Sequence, residues 1–160
     1  MYFFRKQIAI LFVVFACCTL TISCSGDNRT VQCTKLIAIV TKGSALINFK
    51  NGTYDAATSK NLAKDLNQTA KEIEALRITD ATLKEIQGPS VKYFRDMGQG
   101  LGDIGKALEA GNRASTSIEG REQIKTAQAD IIQAGQRANQ AAKSQDVLTA
   151  KLINYCKSDR

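Results

Sequence analysis

The chain has 160 residues, a formal net charge of +7 and no histidine. The lack of histidine excludes Ser-His-Asp and Cys-His catalysis, ordinary zinc sites and histidine-ligated haem, so we expect neither an enzyme nor a bound cofactor. The charges are scattered singly without a basic run, which argues against nucleic acid as a partner, and the length suits one domain.

The N-terminus has the composition of an export signal. Arg5 and Lys6 precede an uncharged apolar stretch from Ile8 to Ile22 that contains no proline. Basic residues stay on the cytoplasmic side of a membrane, and this stretch is shorter than the roughly 20 residues that a spanning helix needs. The pattern therefore predicts a cleaved signal peptide.

The segment Leu20-Thr21-Ile22-Ser23-Cys24 resembles the lipobox of bacterial lipoproteins, although Thr21 stands where that family usually has leucine. The resemblance implies cleavage before Cys24, acylation of Cys24 by a fatty acid such as palmitate, and a location facing the periplasm or the cell exterior. Ser25 after the cysteine allows sorting to the outer membrane. Cys17 fits a looser version of the pattern but would leave a shorter apolar core. Ordinary secretion and an uncleaved anchor are the alternatives.

The cysteines predict a disulfide. We assign residues 1–23 to the signal peptide, 24–30 to a tether and 31–160 to a helical domain, which leaves Cys33 and Cys156 as the only cysteines without a role. An even pair in an oxidising compartment favours a bridge, and two separate buried thiols are the alternative. A bridge closing a loop of this length stabilises by about 4–5 kcal/mol in the chain-entropy model.

The composition favours helices over strands, since helix-forming residues are abundant and the chain has one proline. The first helix is predicted from about Arg29 to Lys50 and the second from about Tyr54 to Arg77. Asn51-Gly52 is a stop signal between them, and Thr53 is the expected N-cap of the second helix. Their apolar seams are Cys33, Ile37, Val40 and Ile47, then Leu62, Leu66, Thr69, Ile73 and Leu76.

The third helix is predicted from about Ala81 to Ala110, with Thr79 or Asp80 as its N-cap. Pro89 lies inside it, so we expect a kink or a short break near Gln87-Gly88. The seam of this helix is Leu83, Gln87, Ser90, Phe94, Met97, Leu101, Ile104 and Leu108.

The fourth helix is expected to follow a capping box formed by Thr116 and Glu119, and its heptad spacing continues to Tyr155. Ser144 is an alternative cap of a separate short helix. Most of the seam is alanine, which lets helices approach closely; its members are Ile124, Ala127, Ile131, Ala134, Ala138, Ala141, Gln145, Leu148, Leu152 and Tyr155.

Four helices with short connections predict an all-α, up-down-up-down four-helix bundle closed by one disulfide. In this topology the first helix begins at the end of the bundle where the fourth finishes. Cys33 and Cys156 would therefore be neighbours, which agrees with the disulfide predicted from the cysteine count alone.

The predicted helix lengths imply that the third and fourth helices extend beyond the first two. We expect this protruding hairpin to bind a partner at the end opposite the lipid anchor, unless the fourth helix breaks at Ser144 and removes the overhang. The candidate tip residues are Leu101, Ile104, Leu108, Ile118 and Ile124.

The run from Gly100 to Gly105 has the spacing of a dinucleotide-binding loop, but it lies inside a helical heptad instead of following a strand. We interpret Gly98, Gly102 and Gly105 as points of close helix contact or local flexibility. The sequence thus predicts a lipid-anchored, non-catalytic binding, scaffold or accessory protein that contacts the membrane and a protein partner. In outline it resembles helical accessory lipoproteins. The alternative is a carrier or sensor of a small apolar ligand held between the helices.

Overall fold

The computed structural model describes residues 29–47 and 55–157. These residues form α1 (Arg29–Ile47), α2 (Ala56–Glu74), α3 (Ala81–Arg113) and α4 (Ile118–Lys157), with no strand among them. They pack as the predicted all-α, up-down-up-down bundle. Cys24, Cys17, the stop signal Asn51-Gly52 and Thr53 lie outside the described residues.

Aspartates cap the N-termini of α2 and α3. Oδ1 of Asp55 accepts a hydrogen bond from the Thr58 amide at 2.7 Å, and Oδ1 of Asp80 accepts one from the Leu83 amide at 2.9 Å. These backbone donors favour the charged carboxylates and lower the pKa of both aspartates. Asp80 was one of the two predicted caps. The prediction of Thr53 was wrong, because α2 begins two residues later than the pattern indicated.

α3 runs through Pro89 as one helix, so the predicted break near Gln87-Gly88 does not occur. Pro89 cannot donate to the Glu85 carbonyl, but both residues are exposed and water can reach that oxygen.

Gln87, two residues before the proline, connects α3 to the end of α2. Its Nε2 donates to the carbonyl oxygens of Ile73 and Leu76, at 2.8 and 3.0 Å. These bonds satisfy acceptors at the end of α2, where helical carbonyls outnumber donors.

α3 is the central helix, antiparallel to α2 on one side and to α4 on the other. A β-carbon added at Gly98 would lie 3.0 Å from the Ala63 carbonyl oxygen, and one at Gly100 would lie 3.4 Å from the Ala134 carbonyl oxygen. These contacts confirm close helix packing at Gly98, whereas Gly102 has room for a methyl group. The largest fully buried side chains include Phe94, Leu36, Leu66, Ile73, Leu83, Ile86 and Leu152.

A disulfide joins the first and last helices at one end of the bundle. The sulfurs of Cys33 and Cys156 are 2.06 Å apart and their Cα atoms 5.8 Å apart, which confirms the predicted bridge. Tyr155 lies beside it, and its hydroxyl donates to Oδ2 of Asp80 at 2.8 Å. The Arg29 guanidinium lies 4.0 Å from the centre of the Tyr155 ring, within the range of a cation–π interaction.

Gln32 completes this end of the molecule and is only 3% exposed. Its Oε1 accepts from the amides of Thr79 and Asp80 at 2.8 and 3.2 Å, and its Nε2 donates to the Thr79 hydroxyl at 2.9 Å. One side chain of α1 thus holds the connection between α2 and α3. We call the set of Arg29, Gln32, Cys33, Asp80, Tyr155 and Cys156 the clasp.

Candidate partner-binding tip

The helices end at different levels at the side opposite the clasp. A β-carbon added at Gly105 of α3 would lie 3.0 Å from the Ala56 carbonyl oxygen, so α2 begins opposite Gly105. α3 continues from there to Arg113, and α4 returns from Ile118. Among the described residues, α3 and α4 therefore extend past the start of α2, as the predicted overhang requires. We call residues 106–130, which form this two-helix hairpin, the tip.

α4 is continuous across Ser144, so the alternative with a separate short helix is wrong. The Ser144 hydroxyl donates to the Gln140 carbonyl at 3.2 Å, a bond within the helix that leaves no cap for a new one. The length of α4 is what carries the tip past the start of α2.

The hairpin turns at Ser117. Its hydroxyl accepts from the Gly120 amide at 3.1 Å and occupies the N-cap position of α4. The predicted capping box of Thr116 and Glu119 was wrong, because α4 begins one residue later than that box requires. Glu119 remains in the first turn, where hydrogen bonds from its own amide and from the Ser117 hydroxyl lower the pKa of its carboxyl.

Glu109 connects the base of the tip to the body. Its carboxylate accepts from Lys60 of α2 and from Arg113 of α3. The hydrogen bond from Lys60, followed by the charge of Arg113, lowers the pKa of Glu109. All three side chains are at least one third exposed, so water screens these pairs and they contribute little to stability.

The five predicted tip residues differ in accessibility. Ile118 is 74% exposed and Ile124 is 39% exposed, while Leu108 and Ile104 are half-buried. Leu101 is 8% exposed and belongs to the main core, below the level of Gly105. Leu101 therefore supports the bundle and offers no surface to a partner.

A groove of about 570 Å³ runs between the two helices of the tip. Its apolar wall is formed by Ala107, Ala110, Ile118 and Ala127, and its acidic groups are Glu119, Glu122 and Asp130. Such a lining suits a small apolar side chain accompanied by a basic group. These acidic groups were not predicted, although their spacing of three and eight residues along α4 places them on one flank of that helix.

Other kinds of site are not found in the described part of the chain. No group of three or more metal-ligating side chains occurs there, and none of its helices has the length and hydropathy of a membrane span. The run from Gly100 to Gly105 lies in the middle of α3, as expected for packing glycines. Comparison of the chain with protein-family models, curated proteins and solved structures gave no match.

Proposed function

We propose that the protein is a lipid-anchored, extracytoplasmic accessory subunit that binds a protein partner through its tip and catalyses no reaction. The observation that carries the proposal is the overhang of α3 and α4, which displays Ile118 and Ile124 beyond the described parts of α1 and α2. Exposed aliphatic side chains beside an acidic groove are typical of an interaction surface.

The position of the anchor supports this arrangement. Cys24 precedes Cys33 by nine residues, so the lipid would hold the clasp near the membrane and direct the tip away from it. The acidic groove further suggests that the partner contributes basic and small apolar side chains.

The alternative function, a carrier of a small apolar ligand, has less support. Ala127 and Ala134 of the α4 seam are only 6% and 0% exposed, and a β-carbon added at Gly100 would lie 3.4 Å from the Ala134 carbonyl oxygen, closer than most such contacts. The small residues at these positions therefore bring α3 and α4 together instead of leaving a cavity between them. A dense seam of this kind favours a scaffold.

Site-specific photo-crosslinking in intact cells tests the tip. A photoreactive residue at Ile124 should give a discrete crosslinked product, whereas the same residue at the exposed Lys64 of α2 should give none. Equal products from both positions, or none from either, would contradict a binding function of the tip.

Radioactive fatty-acid labelling tests the anchor. We expect Cys24→Ser to abolish labelling and Cys17→Ser to leave it unchanged. Loss of labelling in Cys17→Ser alone would show that Cys17, and not Cys24, carries the lipid.

A further inference from the structure

The clasp end of the molecule is basic, whereas the tip is balanced in charge. Within about two helical turns of the clasp, residues 29–36, 67–88 and 150–157 include seven basic and four acidic side chains. The tip, residues 106–130, has four of each. The clasp end therefore has an excess of positive charge that the tip lacks. Its basic residues are Arg29, Lys35, Lys71, Arg77, Lys84, Lys151 and Lys157.

The acidic side chains at the clasp end already have partners. Asp80 accepts a hydrogen bond from Tyr155. The other three form ion pairs at 2.6 to 3.5 Å, and they are Glu72, Glu74 and Glu85. Four exposed basic side chains of this end form no ion pair among the described residues, namely Lys71, Arg77, Lys84 and Lys157. The excess positive charge is thus available to an anionic partner.

A pocket of about 340 Å³ lies at this end, between α1 and the connection from α2 to α3. Two cationic side chains, Lys35 and Arg77, line it together with Gln32 and aliphatic groups, and no carboxylate does. Gln32 is already bonded to the connection. An ammonium and a guanidinium without a neighbouring carboxylate suit a phosphate group, which accepts charge-assisted hydrogen bonds from both.

The predicted anchor brings this end of the molecule to a membrane. Cys24 precedes Arg29, the first residue of α1, by five residues, which span at most about 18 Å when fully extended. Since α1 begins at the clasp, a lipid on Cys24 keeps the basic end within that distance of the membrane. The phosphate groups of anionic lipids are then within reach of the clasp end, and the tip is not.

We propose that the clasp end is a second membrane contact, at which Lys35 and Arg77 bind the phosphate groups of anionic phospholipids. The inference rests on the proposed function, because the lipid on Cys24 is what brings the clasp to the membrane. The anchor fixes one point of the chain, whereas the contact fixes the direction of the helices. The tip is thereby held away from the membrane, where a protein partner can reach it.

Lysine footprinting of the acylated chain, as purified from membranes, tests the contact. The chain is reconstituted into phosphatidylcholine vesicles with or without phosphatidylglycerol and treated with acetic anhydride, which is uncharged. Phosphatidylglycerol should slow the acetylation of Lys35 at least about threefold, and high salt should remove the effect. Lys64 of α2 and Lys125 of the tip are internal controls and should change less than about twofold. Equal slowing at all three lysines, or none at Lys35, would overturn the proposal.

Charge reversal distinguishes a site at the clasp from an effect of net charge. In the unacylated Cys24→Ser chain, Lys35→Glu with Arg77→Glu should lower the partition constant for phosphatidylglycerol vesicles about tenfold. Lys64→Glu with Lys125→Glu makes the same change of net charge and should lower it less than about twofold. Vesicle flotation measures both constants, and all four side chains are exposed, so both variants should fold. Equal losses in the two variants would contradict a site at the clasp.

The outcomes separate this inference from the proposed function. An acylated chain whose Lys35 is not protected by phosphatidylglycerol would overturn the contact and leave the anchor and the tip standing. If Cys24 carried no lipid, the proposed anchor would fail, while protection of Lys35 by anionic vesicles in Cys24→Ser would still support the contact. If inorganic phosphate alone slowed acetylation of Lys35 as much as the vesicles do, the pocket would bind free phosphate and the membrane contact would be overturned.

Discussion

The clasp and the tip are opposite ends of the same two antiparallel helices, yet they are held in different ways. At the clasp, a disulfide, the Gln32 hydrogen bonds and the Arg29–Tyr155 contact join all four helices. At the tip, α3 and α4 are the only described helices that continue, with exposed ion pairs at Glu109 and a short turn at Ser117. The disulfide and the hydrogen bonds of Gln32 and Tyr155 to the α2–α3 connection thus lie at the clasp end.

The number of helices that meet at each end determines how much apolar surface is left exposed there. Apolar side chains are buried where four helices meet, whereas a two-helix hairpin has too few neighbours to cover Ile118 and Ile124. Regions with few buried contacts open most readily, so we expect the amides of the tip to exchange faster than those near the clasp.

Removal of the disulfide should have the largest effect. We expect Cys33→Ala with Cys156→Ala to lower the free energy of unfolding by about 4 kcal/mol, because the bridge spans a sequence separation of 123 residues. Urea unfolding at neutral pH measures the loss. If the loss were below about 1 kcal/mol, the clasp would not be the more stable end.

Alanine at Gly105 should destabilise the boundary between body and tip. Its β-carbon would lie 2.8 Å from Cγ of Lys60 and 3.0 Å from the Ala56 carbonyl, so α2 and α3 must separate, at a cost of about 1–3 kcal/mol. Gly102→Ala is the matched control. There the nearest atom, Cβ of Ala63, is 3.7 Å away, and the better helix propensity of alanine should stabilise by up to about 1 kcal/mol. Thermal unfolding of the two variants should shift in opposite directions, and shifts of the same sign would disprove this packing.

Loss of the Gln32 side-chain bonds should weaken the clasp while the disulfide remains. Gln32→Met keeps the volume but leaves the Thr79 and Asp80 amides without their acceptor, which we expect to cost about 1–3 kcal/mol. The exposed Gln128→Met should change the unfolding free energy by less than about 0.5 kcal/mol. The amide hydrogen exchange rates of Thr79 and Asp80 should rise in Gln32→Met. Unchanged rates there would show that water replaces the Gln32 side chain as acceptor without a loss of stability.

The overall fold was predictable because its determinants are local. Heptad spacing marks the helices, and the two cysteines outside the predicted signal peptide and lipobox identify the bridge without any knowledge of distance. The caps were harder to predict, since Asp55 lies two residues from Thr53 and Ser117 next to Thr116. Each of these side chains is a competent cap, and the tertiary contacts of the chain decide which one is used.

The tip was predictable only in part. The overhang follows from helix lengths, but the level at which it begins depends on which residue of α3 meets the start of α2. That residue is Gly105, so Leu101 was wrongly grouped with the exposed residues. The exposure of Ile132 and Val147 likewise depends on there being no further helix packed over α4 among the described residues, which spacing alone does not reveal.

The smallest expected effect concerns Tyr93, which lies on α3 between the two ends. The ring is 7% exposed and packs edge-on against Phe94, with centroids 4.8 Å apart. Burial, followed by the charge of Asp146, raises the pKa of Tyr93 to about 12. Since the folded state favours the neutral phenol, its contribution to stability is complete below pH 10 and is lost as the pH rises towards 12.

Absorbance of the phenolate at 295 nm measures this ionisation, and Tyr93→Phe should remove the step near pH 12. The same variant should unfold less readily than the original chain above pH 10, because it has no phenol to ionise. Ionisation of Tyr93 would then weaken the contact between α3 and α4, which lies between the clasp and the tip. If Tyr93 titrated near pH 10, its ring would not be buried, and α3 and α4 would not be closely packed between their ends. The open packing of the tip would then reach the middle of the bundle.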